Sequence, residues 1–328
     1  MDREKFNGIL RGYWESQILF TATYLGIFNF LGNTHRSSGE VAVSLRLDKR
    51  GTEILLNALT GLGLIEKRQK AYRNSSFGRK HLVDDGDEPL TGFVLHNMDM
   101  WESWGDLPSV MKKGKPQKGF AVLKYKTGRH SLFNFALAMH QGGTTVGREI
   151  ALLFDFSFVN SILDVGGCTG RYALSVMERA PTERVDVLDL PEMVREAKRI
   201  IRAENREELR KIRFIEGNFF STDPGRKYDL VILSNIIHSL SEEECVTLFT
   251  RLRGWLTQGG QLLLHNMTSD KSGTHPPHAA LFSVNMLVNT LKGKVHAERD
   301  VLKMLGASGI KKIAKKRTEG GNLALLCG

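Results

Sequence analysis

The feature that most restricts the fold of this chain is an alternation that begins at residue 161 and repeats as far as residue 264: apolar strand, turn, helix. Residues 161–165 read as a strand running into Gly166-Gly167-Cys168-Thr169-Gly170, and 172–179 continues as a helix. A second strand over 184–189 is followed, after Pro191, by a charged helix over 192–210. Strands over 212–216 and 228–233, a helix over 242–256 and a strand over 261–264 after Gly259-Gly260 complete the series. Strands alternating with helices predict an α/β fold with an open, mostly parallel, doubly wound sheet, whose ligands sit at the carboxyl ends of the strands.

The glycine-rich turn selects among ligands. It lacks the phosphate-binding GxxxxGK[ST] spacing and also the GxGxxG spacing that seats a pyrophosphate at a helix N-terminus. In their place stands Asp164, a carboxylate at the strand end, two residues before Gly166 and six before Gly170. Such a group repels a pyrophosphate and attracts the ammonium of an amino-acid-bearing cofactor. Asp189, at the end of the second strand, is placed to accept hydrogen bonds from ribose hydroxyls.

Upstream, the first 85 residues carry apolar positions at helical spacing, at Leu19, Ala22 and Leu25, at Val41 and Leu45, and at Ile54, Leu55, Ala58, Leu59 and Leu62. Gly61 and Gly63 stop the third helix, and 64–67 with 72–73 reads as a hairpin around a polar turn. Helices followed by a small wing describe a winged helix, a shape used both to bind DNA and to dimerise. Residues 90–160 intersperse Trp101, Trp104, Phe120, Phe133 and Phe135 with Met98, Met100, Met111 and Met139, a pattern suited to a core or to an apolar ligand pocket.

With 328 residues, 41% hydrophobic and 25% charged, the chain can bury a full core in two domains, which excludes disordered and fibrous classes. The net charge of +10 raises nucleic acid as a partner. The excess is spread evenly, however, with 21 basic against 16 acidic residues over 1–160 and 25 against 20 beyond, so neither half is a basic tail. The densest runs, 112–126 and 311–317, read as solvated loops or strand ends. Cys168, Cys245 and Cys327 make neither a disulfide framework nor a zinc site. His275 and His278, separated by two prolines without a thiol or acid nearby, read as a surface loop, so no metal is expected. The charged start and the short, Thr- and Asn-interrupted apolar stretch 18–31 argue against a signal peptide or a membrane span, and a cytoplasmic protein is expected.

Four segments now carry a resemblance: 163–170 (Leu-Asp-Val-Gly-Gly-Cys-Thr-Gly), 188–191 (Leu-Asp-Leu-Pro), 216–220 (Glu-Gly-Asn-Phe-Phe), and 234–243, which contains His238. Together with 25–28 and 59–66 they resemble the class I S-adenosylmethionine-dependent small-molecule O-methyltransferases that carry an N-terminal winged-helix dimerisation domain. The resemblance spans nearly the whole chain and implies a Rossmann-like methyltransferase sheet with three regions. These are a dimerisation domain over 1–90, a helical linker over 91–155 that closes over the acceptor, and a catalytic domain over 156–328. It implies a homodimer and a small-molecule acceptor, and makes nucleic acid an improbable partner. For S-adenosylmethionine it implies a site made of Asp164, Gly166, Gly167, Gly170, Asp189, Leu190, Asn218, Phe219 and Ser234. Within it the glycines lie at the methionine moiety, Asp189 at the ribose and Phe219 near the adenine. His238 falls where the family places its general base, and Trp101, Trp104, Phe133, Leu137, His140 and Met286 are expected to line the acceptor pocket.

Transfer of a methyl group from sulfonium to oxygen is an in-line displacement, so alignment supplies most of the acceleration. A neutral imidazole taking the hydroxyl proton adds on the order of 10²- to 10⁴-fold. The chain departs from the family pattern at several positions. Cys168 replaces a loop glycine, Asn218 replaces an aspartate at the adenine amine, and Ser239-Leu240 follows His238 where Asp-Trp is usual. Asn266 and Val295 stand where acidic residues usually orient the base, with Glu298 close enough in sequence to substitute. The leading expectation is therefore O-methylation of a small aromatic or polycyclic acceptor. Alternatives are transfer to carbon or nitrogen, a cofactor-binding protein without transfer, and a nucleic-acid binder or RNA methyltransferase, although the last lacks the Asn/Asp-Pro-Pro-aromatic segment after the fourth strand.

Overall fold

The computed structural model describes residues 1–116, 129–182, 184–204, 207–311 and 313–328; Phe120 and much of the basic run 112–126 lie outside them. The chain forms two compact units, Met1–Trp101 and Glu102–Gly328.

In the first unit, helices Arg3–Tyr24, Ile27–Leu31, Ser38–Leu45 and Lys49–Gly61 precede a hairpin of β2 (Ile65–Arg68) and β3 (Ala71–Asn74). The short strand β1 (Arg36–Ser37) pairs with β3, making an antiparallel sheet of order β1-β3-β2. Helix starts follow from capping: Asp2 accepts from the Lys5 amide, Asp48 from Gly51, and Ser37 with Glu40 makes a reciprocal capping box. The wing is pinned to the helices by Asn74, whose Nδ2 donates to the carbonyls of Phe28 (2.9 Å) and Gly32 (3.0 Å). The core gathers Ala22, Ile27, Phe28, Leu31, Leu56, Leu59, Ile65 and Tyr72. The winged-helix pattern is present, but the first helix begins sixteen residues before Leu19, the first apolar position of the sequence pattern, because polar side chains at 3–5 and 7 dilute its apolar spacing.

The second unit holds a seven-stranded sheet made of β4 (Ile162–Val165), β5 (Val185–Asp189), β6 (Ile212–Glu216), β7 (Tyr228–Ser234), β8 (Leu256–Asn266), β9 (Ile313–Arg317) and β10 (Leu323–Cys327). Its order is β6-β5-β4-β7-β8-β10-β9, with β4 to β8 parallel and β10 antiparallel to both neighbours. Period-two alternation splits the core: Leu163, Val165, Val231 and Leu233 pack with Leu248, Phe249 and Leu305, whereas Ile162, Leu230 and Ile232 pack with Ile150, Ala173 and Leu174. The expected five parallel strands are all present. The expected helix over 192–210 instead ends at Glu204, with a 3-10 turn over Glu207–Lys211, and the final hairpin β9-β10 was not expected because an antiparallel pair needs no crossover helix to announce it. From β4 the chain winds outward to β6 and then crosses back to β7, so the switch point lies between β4 and β7, above whose carboxyl ends the turns 166–170 and 235–240 meet. Among the described residues no helix is long and apolar enough to cross a membrane.

Candidate active site

The turn after β4 is shaped by three left-handed residues, Gly166 (φ 66), Cys168 (φ 51) and Gly170 (φ 70). A Cβ on Gly167 would stand 2.3 Å from Asp164 Cγ, and one on Gly170 would stand 2.9 Å from Val187 Cγ2, so backbone must lie flat against both. Asp189 clasps the turn: its Oδ2 accepts from the Cys168 amide (2.9 Å) and its Oδ1 from the Leu190 amide (2.7 Å). Each oxygen keeps a second lone pair, which leaves the carboxylate able to accept from a ligand. Burial pushes the Asp189 carboxyl up to about 6, opposed by those two amides. Cys168 directs its Sγ toward the Ala136 carbonyl (3.7 Å), within a cluster of Leu132, Ala136, Met193 and Ile200. The side chain that the sequence set against a cofactor is thus packed onto helix Arg129–Leu153.

Asp164 is buried beneath Gly167, and neither of its carboxylate oxygens has a hydrogen-bond partner among the described residues. Burial raises its carboxyl to about 7, with the neighbouring Asp189 adding to the rise, while the Ala173 amide favours the anion without a well-formed hydrogen bond. A buried carboxylate lacking a donor is costly and calls for a cationic or hydrogen-bonding ligand.

At the end of β6, Asn218 is exposed and its Oδ1 caps the turn by accepting from the Phe220 amide (2.8 Å). Phe219 is half-buried beside Phe220, with ring centroids 4.9 Å apart. Ser234, the last residue of β7, meets His265 Nδ1 at 2.9 Å. Asn235, left-handed at φ 55, donates to the Tyr172 hydroxyl (3.2 Å). His265, held neutral by burial with its pKa near 4, was missed in the sequence; a histidine on an apolar strand carries no local signal.

His238 lies in the 3-10 turn Ile237–Ser239 beyond β7. His296 fixes that turn by sharing its Nε2–H between the carbonyls of Ile237 and Leu240, both at 3.1 Å. The His238 ring stands edge-on to Phe282 (5.0 Å, 89°), and its Nδ1 is enclosed without a hydrogen-bond partner. Burial lowers its pKa to about 4; the Asn266 side chain opposes this and His296 adds to it. The imidazole is therefore neutral at physiological pH. Glu298, expected as a substitute orienter, pairs instead with Lys315 (2.7 Å) and Arg317, because β9 brings both cations to it. Val295 is buried, and its amide donates to Ser283 Oγ (3.2 Å).

Of the expected pocket residues, Phe133, Leu137 and Leu190 share one apolar cluster with Cys168, and Arg199 stacks on Phe133 at 4.1 Å. Trp104 Nε1 donates to Asn285 Oδ1 (3.0 Å), one residue before the buried Met286. Trp101 belongs to the first unit. His140 has a different place: its Nδ1 meets Thr169 Oγ1 (2.9 Å) and its Nε2 meets Glu204 Oε1 (2.5 Å), while Arg171 also binds Glu204 (2.6 Å). Both ring nitrogens thus meet scaffold groups around the turn.

A glycine cradle, a buried carboxylate without a donor and a second carboxylate at the next strand end suit a nucleoside that carries an ammonium group. Comparison with known proteins agrees. The O-methyltransferase domain family matches residues 104–311, and the O-methyltransferase dimerisation domain matches 8–84. The chain is 29% identical over 326 residues to chicken acetylserotonin O-methyltransferase, covering 94% of this chain and 92% of that one. It is 28% identical over 293 residues to a human probable bifunctional dTTP/UTP pyrophosphatase/methyltransferase protein, covering 86% of this chain but only 47% of that larger one. The structure of human N-acetylserotonin methyltransferase in complex with SAM superimposes with a TM-score of 0.89 at 27% identity, covering 100% of this chain and 98% of that one. The chain belongs to the S-adenosylmethionine-dependent small-molecule O-methyltransferases with an N-terminal dimerisation domain.

Proposed function

We propose that the protein methylates a hydroxyl of a small aromatic or polycyclic acceptor, with His238 receiving the hydroxyl proton. The observation that carries this reading is a neutral, half-buried imidazole just past the carboxyl end of β7, beside the switch point where the cofactor cradle lies. S-adenosylmethionine, when bound, supplies a methyl group on a positively charged sulfur. Asp164 would compensate its ammonium, the backbone of Gly166, Gly167 and Gly170 would admit it closely, and Asp189 with Leu190 would hold the ribose. Phe219 would face the adenine, with Asn218 offering its amide at the rim, and Ser234 would border the methionine side. The apolar cluster of Phe133, Leu137 and Leu190 supports a flat, apolar acceptor, with Trp101, Trp104 and Met286 proposed as further lining.

We propose a homodimer formed through the first of three regions, 1–90, 91–155 and 156–328. Phe6, Ile9, Leu10, Tyr13 and Trp14 are all exposed at three- and four-residue spacing along helix Arg3–Tyr24, an apolar stripe of the kind a second copy covers. Three free, buried cysteines suit a reducing, cytoplasmic setting.

The decisive test is transfer of labelled methyl to a panel of phenols, hydroxyindoles and polyketide-like hydroxyaromatics, with the methylated atom identified in the product. His238→Ala is expected to lower kcat by about 10²- to 10⁴-fold with little change in affinity for S-adenosylhomocysteine. Near-native turnover by that variant would remove His238 as the proton acceptor, and label on carbon or nitrogen would replace the reading.

A further inference from the structure

We propose that the acceptor hydroxyl is an unusually acidic one, such as an enol, a vinylogous acid or an electron-poor phenol, because among the described residues the proton acceptor has no carboxylate to stabilise it once protonated. This rests on the O-methylation reading above, and names the acceptor class for that same site.

The surroundings of His238 carry the argument. The end of β8 presents Asn266 to it, a neutral amide whose Nδ2 is already committed to the Met267 carbonyl (2.8 Å) and whose Oδ1 is buried without a partner. Helix Pro277–Asn289 presents the edge of Phe282. The segment before helix Glu298–Ala307 presents Gly293, where a Cβ would stand 2.5 Å from the His238 carbonyl, and His296, itself titratable and shifted down by burial. Along its own chain the next residue is Ser239, and the acids that follow are occupied elsewhere. Glu242 pairs with Lys294 (2.8 Å), Glu244 with Lys292 (2.7 Å), and Glu243 accepts from Ser241 (2.7 Å). Glu298 is held by Lys315 and Arg317. Among the described residues no carboxylate pairs with His238.

An imidazole in that setting is a weak base. With its pKa near 4, taking a proton from an ordinary phenol of pKa about 10 is uphill by roughly a million-fold. General-base catalysis is effective when donor and acceptor are matched, so the acceptor oxygen must surrender its proton readily. In the balanced step that proton passes to His238 Nε2 or, for the most acidic acceptors, to water before binding. The oxygen then forms the O–CH₃ bond while the C–S bond breaks, leaving a neutral thioether.

The test uses the intact protein at pH 7 with saturating S-adenosylmethionine and three probes of falling acidity: 4-nitrophenol, 4-cyanophenol and phenol. The expected result is a kcat/KM that falls by about 100-fold or more along the series, with Asn266→Asp narrowing the gap at least about tenfold by giving the imidazolium a counterion. A readout independent of turnover is the absorbance of 4-nitrophenol bound beside S-adenosylhomocysteine, expected to be that of the phenolate. Should Asn266→Asp not fold, the probe series and the absorbance on the native chain decide alone. Phenol methylated as fast as 4-nitrophenol, or 4-nitrophenol bound as the neutral phenol, overturns the acidic-acceptor assignment while leaving O-methylation intact. Methyl transfer to nitrogen or carbon acceptors but to no hydroxyl at any pH overturns the underlying reading, and this one with it.

Discussion

On the side proposed for the cofactor two buried carboxylates, Asp164 and Asp189, stand near the ends of the adjacent strands β4 and β5. On the side proposed for the acceptor stand Asn266 and the imidazoles of His238, His265 and His296, all three shifted down in pKa by burial. The first side concentrates charge of one sign in a place that water does not reach, an arrangement a free protein sustains only at a cost and a cationic ligand relieves. The second side removes charge: among the described residues no carboxylate pairs with His238. On the proposed reading, the methyl donor is recognised electrostatically, whereas the acceptor is selected by shape and by the acidity of its hydroxyl.

The sharpest way to test this contrast is proton linkage at Asp164. Its carboxyl, raised to about 7, must ionise to hold an ammonium, so S-adenosylhomocysteine affinity should fall as pH drops below about 7. The loss should approach about tenfold per pH unit well below 7, or about 50-fold from pH 7 to pH 5, and calorimetry in buffers of different ionisation enthalpy should register proton release. The stability effect has the opposite sign. The folded pKa lies above the unfolded value, so the folded state holds extra protons between the two and the penalty of the buried anion is fully present above pH 7. Asn at this position should raise the Tm of the free protein at pH 8, by a few kcal/mol in stability, while weakening and flattening the pH dependence of cofactor binding. Affinity that is level from pH 5 to 8 in the native protein would place the ammonium elsewhere.

A smaller effect, on the same side, comes from the backbone of the turn. Gly167→Ala sets a methyl group 2.3 Å from the Asp164 carboxylate carbon, so one of the two must move. Overpacking of this kind costs about 1–3 kcal/mol, which predicts a 10- to 100-fold loss of S-adenosylhomocysteine affinity by titration. Unchanged affinity would mean that the turn is looser than its three left-handed residues imply.

The same asymmetry decides what could be read from the sequence. The side proposed for the cofactor is local: β4, its turn and the end of β5 lie within about thirty residues, and spacing alone points to Asp164, the glycines and Asp189 as candidates. The side proposed for the acceptor draws on β7, β8, helix Pro277–Asn289 and the segment before Glu298, where His238, Asn266, Met286, Val295 and Glu298 had positional clues but their neighbours did not. His265 is a single histidine on an apolar strand and His296 one within a charged segment, and nothing nearby in sequence indicates that one meets Ser234 and the other holds the turn of His238. Glu298 is close in sequence to the expected orienter, but the β9-β10 hairpin, invisible to a pattern built on crossovers, delivers Lys315 and Arg317 to it. Cys168 was legible as a departure but not in its direction, since its apolar neighbours come from two helices, one more than thirty residues upstream and one beginning more than twenty downstream.

His140 gives the finest discrimination between the two sides. In sequence it belongs to the aromatic and methionine-rich stretch expected at the acceptor; in space it sits under the cofactor turn, between Thr169, Arg171 and Glu204. Replacing it with leucine leaves Thr169 Oγ1 and one Glu204 oxygen without their imidazole partner, while the Arg171–Glu204 pair at 2.6 Å remains. Removal of one partner of a buried hydrogen bond costs about 1–3 kcal/mol, so His140→Leu should lower the Tm clearly. Acceptor KM should change by less than about threefold, because no acceptor contact is lost, whereas Phe133→Ala should raise it further with a smaller stability loss. A His140→Leu enzyme with native Tm and a strongly raised acceptor KM would return this residue to the pocket lining, and would show that the boundary between the charged and neutral sides runs on the other side of helix Arg129–Leu153.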